Sequence, residues 1–418
     1  MPHKQRSWSR LDNAAKIFPS TSEKTDTRVF RFSCQLNEDI DGGILQTAVD
    51  KALIDYPTYH CVMKKGLFWY YLEQTDIKPV VCEEYKHPCA ALYMGESDRL
   101  LFEVTYFRRR INLELYHVLT DGTGAMQFLK TIVYNYITLA HPDDFGTLPE
   151  FDIDSSAAEK ADDSFRKYYQ KQKNQHNDTV KKAYRLKGMK NEDDVLGITE
   201  VCVSAKAVID AAHRSSSTMT VFLTALLIEA VHSTMSVADE NLPVVIMVPV
   251  NLRNFFPSET AKNFFGMISI VYSYKERSGE FGDILEEVNR QFKEKLTKEQ
   301  LSIRMNRLAS LEHNPFVKIA PLPLKNFVLH TARRIGVRGE TIVISNIGRV
   351  IMPPEFDSYI DRFNIFASTL KLQLCVCSYG DRLTLNFSSA FVSTAVQCAF
   401  VRRLTAAGIE AEIQSNEV

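Results

Sequence analysis

The sequence predicts an α+β protein of two units, and three observations predict it. Short alternating segments and amphipathic segments of helical spacing are interleaved along the chain. A charged stretch poor in aliphatic residues, from Pro142 to about Asp194, separates them. The chain has 418 residues, of which 45% are hydrophobic, enough to supply more than one core.

The first unit, 1–150, opens with the alternating strand Thr27 to Gln35, followed by an amphipathic helix from Ile40 to Asp55. Strands at Phe68 to Leu72 and Pro79 to Glu83 come next. Leu100 to Phe107 and Ile111 to Leu119 read as a hairpin turning near Arg108 to Arg110, and a helix from Ala125 to about Leu139 completes the unit. Residues 151–194 read as a charged linker with some helix around Asp163 to Lys173.

The second unit, 195–418, begins with a strand at Gly197 to Val203 and helices at Ser204 to Ala212 and Met219 to Met235. A buried strand, Pro243 to Val250, and another at Met267 to Tyr274 precede a helix from Phe281 to Leu296. A long helical region runs from Glu299 to about Arg334. Strands at Thr341 to Ser345, Lys371 to Ser378 and Arg382 to Phe387 and a helix at Thr394 to Ala407 close the chain.

Chemistry is concentrated where the second hairpin strand meets the helix, in Ile111 to Lys130. Ile111, Leu113 and Leu115 share one face, and period two places His117 on that apolar face, pointing inward. A histidine is partly neutral near pH 7, so an inward one beside a cavity can take a proton from an alcohol or amine. Asp121 lies beyond the strand, and Gly122 and Gly124 are expected to let the backbone turn tightly. An inward carboxylate there needs a cationic partner, and Arg253 of Asn251-Leu252-Arg253 is the expected one.

This His-x-x-x-Asp-Gly corner resembles the active-site motif of the CoA-dependent acyltransferase superfamily, which includes chloramphenicol acetyltransferases, condensation domains and alcohol acetyltransferases. Two further segments carry the resemblance in family order. Pro249 to Met267 resembles the segment in which a strand ends in Asn-Leu-Arg and a loop reaches an Asn, aromatic and Gly element, here Asn263 to Gly266. Ile344 to Gly348 resembles the Ser-Asn-x-Gly strand end of the condensation and alcohol acetyltransferase branches. The family often has two adjacent histidines; here Tyr116 replaces the first, and His117 matches the catalytic base.

Two departures narrow the branch. The Asp-Phe-Gly-Trp-Gly of the plant-type enzymes is absent, and YPTYHC (Tyr56 to Cys61) places His60 where condensation domains usually have Arg. The alcohol acetyltransferase branch fits best.

The resemblance implies two chloramphenicol acetyltransferase-like α+β halves, mixed sheets flanked by helices, joined in a V with a central tunnel. It implies an acyl group, most plausibly acetyl, moved from acyl-CoA to a small alcohol or amine. His117 acts as general base, Asp121 with Gly122 holds the corner, and no permanently bound cofactor or metal is needed. Ser345 and Asn346 are candidate oxyanion or substrate contacts, with a simple strand-end cap as the equal alternative. An acyl carrier protein as donor, or an inactive relative that binds an acyl ligand or a protein, are the competing readings.

Other chemistries find less support. Gly122-Thr123-Gly124 mimics a dinucleotide fingerprint, but Gln127 stands at the third glycine position, and the preceding strands read as antiparallel. No P-loop or Gly-x-Ser-x-Gly elbow occurs. Lys plus Arg number 50 against 51 Asp plus Glu, a formal charge of -1 that offers no drive toward nucleic acid. The longest uncharged apolar stretch, Met219 to Ile228, is short of the roughly 18 residues of a spanning helix, so a cytoplasmic location is expected. The eight cysteines lack Cys-x-x-Cys spacing and read as reduced, mostly buried thiols. Lys325, Arg333, Arg334 and Arg338 could meet the phosphates of CoA at a tunnel mouth, but read first as a solvated helix face.

Overall fold

The computed structural model describes residues 7–93, 95, 98–151, 162–170, 182–313, 317 and 319–416. Among these, the strands form sheets of five, seven and three strands. The predicted α+β class and the two-half architecture are what the structure has.

The five-stranded sheet runs in the order Ile360–Ala367, Val29–Leu36, Arg110–Tyr116, Phe102–Phe107 and Cys82–Glu83, antiparallel except for the last pair. Its two faces differ as the alternation demands. Phe30, Phe32, Leu113 and Leu115 pack with the helices Gly42–Asp55 and Gly122–Ala140 in one apolar core. Asp41 starts the first of these helices by accepting from the Gly43 and Ile44 N–H groups at 2.8 and 2.9 Å. The opposite face is polar and buried: Arg31 Nε donates to Glu114 at 2.9 Å, with Ser33 and Asn112 between the strands' charged pairs. That face looks toward the seven-stranded sheet, and Arg110 crosses to Glu200 at 2.8 Å.

The seven-stranded sheet runs Phe265–Tyr272, Val244–Asn251, Ile342–Arg349, Leu372–Tyr379, Arg382–Ser389, Gly197–Ser204 and Ala411–Ser415. Ile342–Arg349 is parallel to both of its neighbours, so the sheet is mixed. The apolar run of Met219–His232 is explained by burial: from Val221 to Val231 it is a core helix packed against Phe281–Lys295 and Ala395–Ala406. The third sheet, Trp8–Arg10 with Tyr70–Gln74 and Cys61–Lys65, lies on the first half.

Several elements depart from expectation. Helix Gly122–Ala140 begins three residues early, because Asp121 itself caps it. Among the described residues the long helical region contains the helices Lys298–His313 and Leu322–Gly336, the second entered through Pro321. The linker's helix is short, Ser164–Tyr168, and residues 171–173 of the expected one lie outside the described residues. Four strands were not expected: Trp8–Arg10, Cys61–Lys65, Ala411–Ser415 and Ile360–Ala367. The last pairs along Val29–Leu36, so a segment from beyond residue 195 completes the sheet of the first half.

All eight cysteines are free thiols, and only Cys398 is exposed. Among the described residues no helix is long and apolar enough to cross a membrane.

Candidate active site

The Arg110–Tyr116 strand ends one residue before His117, whose N–H donates to the Arg28 carbonyl of the neighbouring strand at 2.8 Å. Tyr116 points to the other face, where it is buried, stacks on Tyr93 and shares a 2.8 Å hydrogen bond with Ser22. His117 is half-buried in an aromatic box: Phe18 stacks on it at 4.3 Å, Phe30 meets it edge-on at 4.8 Å and Phe265 lies at 5.5 Å. Burial in these rings holds the imidazole below its ordinary value of 6.5. The Asp121 charge, the hydrogen bond to Asn263 and the nearby carbonyls of His117 and Thr120 pull the other way.

One contact settles the tautomer. His117 Nδ1 lies 3.0 Å from Asn263 Oδ1. The Asn263 amide is oriented by its other atom, because Nδ2 donates to Asp12 Oδ2 at 3.0 Å and to the His117 carbonyl at 3.1 Å. Asp12 Oδ2 also accepts from the Asn263 N–H at 3.2 Å, and Oδ1 accepts from Ala15 N–H at 2.7 Å. The His117 carbonyl can only accept, so Asn263 must turn Nδ2 toward it and present its own carbonyl to Nδ1. Nδ1 therefore carries the proton and Nε2 the lone pair. Burial pushes the Asp12 carboxyl up to about 7.

Asp121 does two jobs. Oδ1 accepts from Thr123 and Gly124 N–H at 3.1 and 3.2 Å and caps the helix; Oδ2 accepts from Arg253 Nη1 at 2.8 Å and Phe264 N–H at 2.7 Å. Arg253 spends its remaining donors on the loop that follows it: Nε and Nη2 reach the Thr260 carbonyl at 3.1 and 2.8 Å, and Nη2 the Lys262 carbonyl at 2.7 Å. The loop 254–264 of the second half is thereby pinned onto the first, with Thr120 and Tyr59 both donating to the Ala261 carbonyl at 2.6 and 3.0 Å.

The glycines serve contact, not turn conformation. Neither Gly122 nor Gly124 has a positive φ. A Cβ on Gly122 would lie 2.5 Å from Ile347 Cδ1, and one on Gly124 would collide with Thr120 Oγ1 and the Ala261 carbonyl. Ile347 reaches Gly122 because the Ile342–Arg349 strand slips register between Asn346 and Gly348, which leaves Ile347 as the extra residue. Gly348 takes φ 88 there, and its N–H donates to Asn346 Oδ1 at 2.8 Å. Asn346 Nδ2 donates to Thr220 at 2.9 Å, so both ends of its amide have protein partners.

His117, Asp121, Gly122, Ser345 and Asn346 all line one cavity of about 460 Å³ between the two sheets. Arg253 stands behind it, joined through Asp121. Among the described residues no cluster of His, Cys, Asp or Glu could hold a metal ion.

No family model matches the sequence, and no curated protein matches it. Solved structures do. The TRI101 protein of F. sporotrichioides, complexed with coenzyme A and T-2, aligns over 97% of this chain and 99% of its own at TM-score 0.63 and 10% identity. The TRI3 trichothecene 15-O-acetyltransferase of Fusarium sporotrichioides aligns over 96% and 95% at 0.61 and 10%. The first condensation domain of the CDA synthetase aligns over 97% and 96% at 0.60 and 14%. This chain has the CoA-dependent acyltransferase and condensation-domain fold. At such identities the likeness is one of fold, and it bears out the fold that the motifs implied.

Three residues at the site were not named from sequence. Asn263 stood inside a recognised segment but had no role there. Phe18 and Asp12 come from an N-terminal stretch whose composition reads as polar, and no period marks them. The basic group does not form one solvated face: Lys325 is buried over the Trp69 ring at 3.6 Å, and Arg333 turns into the cavity.

Proposed function

We propose that this protein transfers an acyl group, acetyl being the first to test, from acyl-CoA to a small alcohol or amine, with His117 as general base. The observation that carries this reading is the orientation of His117. Its Nδ1–H is held by Asn263, which leaves the Nε2 lone pair as the proton acceptor on a side chain that lines the cavity. A neutral imidazole is what the chemistry needs, and burial favours that form.

Nε2 removes the proton of the acceptor hydroxyl or amine as its oxygen or nitrogen attacks the thioester carbonyl. The carbonyl electrons move onto oxygen to give a tetrahedral oxyanion, and Ser345, which lines the cavity, is the candidate side chain for a hydrogen bond to it. The oxyanion collapses, the C–S bond breaks, and the CoA thiolate leaves with the proton that His117 holds. Asp121, Gly122 and Arg253 touch none of the reacting atoms in this scheme; they position the corner. Coenzyme A bound to TRI101 and the O-acetyltransferase activity named for TRI3 support CoA as donor.

The test is thiol release from acetyl-CoA and longer acyl-CoAs, with and without panels of alcohols and amines, in the wild type and in His117→Ala. Acceptor-dependent release that falls by roughly 10²- to 10⁴-fold in the variant is expected. Folded protein that releases no thiol with any pair, but transfers from an acyl carrier protein, would replace CoA by a carrier donor. No transfer from either donor would leave a binding protein.

A further inference from the structure

The cavity wall beside His117 carries charge that the proposed chemistry does not use. Asp26, Arg28, Arg333, Glu340, Ser368 and Lys371 all line the cavity. Asp26 is buried between two guanidiniums: it pairs with Arg333 Nη2 and, at 3.4 Å, with Arg28 Nη1, and it accepts from Ser368 Oγ at 3.1 Å. Lys371 donates to the Val337 carbonyl at 2.7 Å and to the Glu340 carbonyl. Burial pushes the Asp26 and Glu340 carboxyls up and the Lys371 ammonium down to about 8, so the two guanidiniums are the groups on this wall whose charge burial does not threaten.

Two donors are left over. Arg28 Nε and Arg333 Nε are buried, and neither has a hydrogen-bond partner among the described residues. Guanidinium N–H groups out of water need acceptors, and the described residues supply none to these two atoms, while both side chains line the cavity with 19% and 15% of their surface open. Arg28 is also held at φ 58, in the left-handed region that a long side chain seldom adopts, and such strain tends to gather where geometry serves a ligand. Its guanidinium carbon lies 5.9 Å from the centre of the Phe18 ring, and that ring is 4.3 Å from His117. Together those two distances bound how far the charge stands from the imidazole.

We propose that the acceptor carries an anionic group, a carboxylate or an anion of similar size, which the guanidiniums of Arg28 and Arg333 bind on the cavity wall while its hydroxyl or amine meets His117. Identifying the ligand as the acceptor rests on the acyl-transfer reading. The phosphates of CoA are the other anion at hand. In an extended CoA the pantetheine arm separates them from the thioester by far more than the distance from Arg28 to His117, which favours the acceptor.

Calorimetric titration tests this without relying on turnover. The probes are short ω-hydroxycarboxylates of graded length, each set against the neutral alcohol of equal length, and CoA set against pantetheine, which has the same thiol arm without phosphates. The expected result is tighter binding of a hydroxycarboxylate than of its neutral partner. That preference should fall about tenfold or more in Arg28→Gln and in Arg333→Gln and partly return in Arg333→Lys. Unchanged binding of the neutral probe shows that the pocket is still folded, and Arg28→Gln leaves the Asp26–Arg333 pair in place should the other variant unfold. No preference for any hydroxycarboxylate, equal losses for charged and neutral probes, or a loss confined to the CoA and pantetheine pair overturns the proposal. Preference for the charged acceptor with no thiol release from any donor would keep the anion site and overturn acyl transfer instead.

Discussion

The cavity has two walls that treat polar groups in opposite ways. On the His117 side the groups that shape the corner are answered within the protein. Asp121 uses both oxygens, Arg253 uses Nε and both terminal nitrogens, and Asn263 joins His117 to Asp12. On the Arg28 and Arg333 side two buried donors go unanswered. A saturated network keeps a catalytic group in one place, whereas guanidiniums on a cavity wall that the protein does not fully pair are where a ligand can gain binding energy. The two walls therefore divide the work: one side fixes geometry, and the other is open to recognition.

Breaking the saturated wall should have the largest effect. Arg253→Ala strands the Asp121 carboxylate in a buried position and frees the Thr260 and Lys262 carbonyls. A loss of about 3–5 kcal/mol in folding stability is expected, with activity lost alongside it. Asp121→Asn keeps the shape but weakens the pair, and the double variant should be little worse than Arg253→Ala, because both remove one interaction. Chemical denaturation of the four proteins checks this. By contrast Arg28→Gln, on the unfilled wall, should change stability far less than it changes ligand binding.

Asn263→Ala probes orientation, and it also takes the amide donor from Asp12 and from the His117 carbonyl. It removes the acceptor that holds Nδ1–H, and a lost buried hydrogen bond of this kind is worth about 1–3 kcal/mol. The drop should appear in kcat more than in KM, since the base loses its direction and the pocket keeps its walls. A variant that lowers only KM-dependent rates would place Asn263 on substrate instead.

The pH profile sharpens the same contrast. Because burial lowers the His117 value, the acid limb of kcat/KM should lie below pH 6.5. Asp12 adds a second, shallower rise near pH 7, as its carboxylate forms and strengthens the chain through Asn263 to the imidazole. Stability runs the other way. A carboxyl whose folded value stands at about 7, above its ordinary 3.8, contributes fully below 3.8 and loses that contribution as pH rises through 7. Asp12→Asn should remove the upper rise and leave the lower limb.

Legibility followed the same division. The corner could be read because its parts are local or lie in recognisable strings: period two placed His117 inward, and Asn251-Leu252-Arg253 marked a cation for Asp121. Asp12, Phe18 and Arg28 could not be read, because their roles depend on an N-terminal segment and a strand start brought beside His117 only by tertiary packing. Arg333 looked like surface charge, since its helix pattern does not reveal that Asp26, 307 residues away in sequence, draws it inward. The glycines were noticed for the wrong reason. A sequence shows that a side chain is absent, but not whether torsion or crowding excludes it; here Thr120 and the Ala261 carbonyl exclude one at Gly124, and the tip of Ile347 crowds Gly122.

Tyr116 offers the gentlest test. It occupies the place of the first histidine in the resembling motif, yet its side chain is on the far face of the strand, fully buried against Tyr93 and bonded to Ser22. Tyr116→Phe deletes only the hydroxyl. Ser22 keeps its own bond to the Phe18 carbonyl at 2.9 Å, so the change leaves no unsatisfied donor and should cost about 0.5–1.5 kcal/mol in stability. It should leave kcat and its pH dependence unchanged, because Tyr116 itself does not line the cavity. A fall in kcat without a fall in stability would mean that the two faces of the strand are coupled, and that Tyr116 belongs with Asn263 among the residues that position the base.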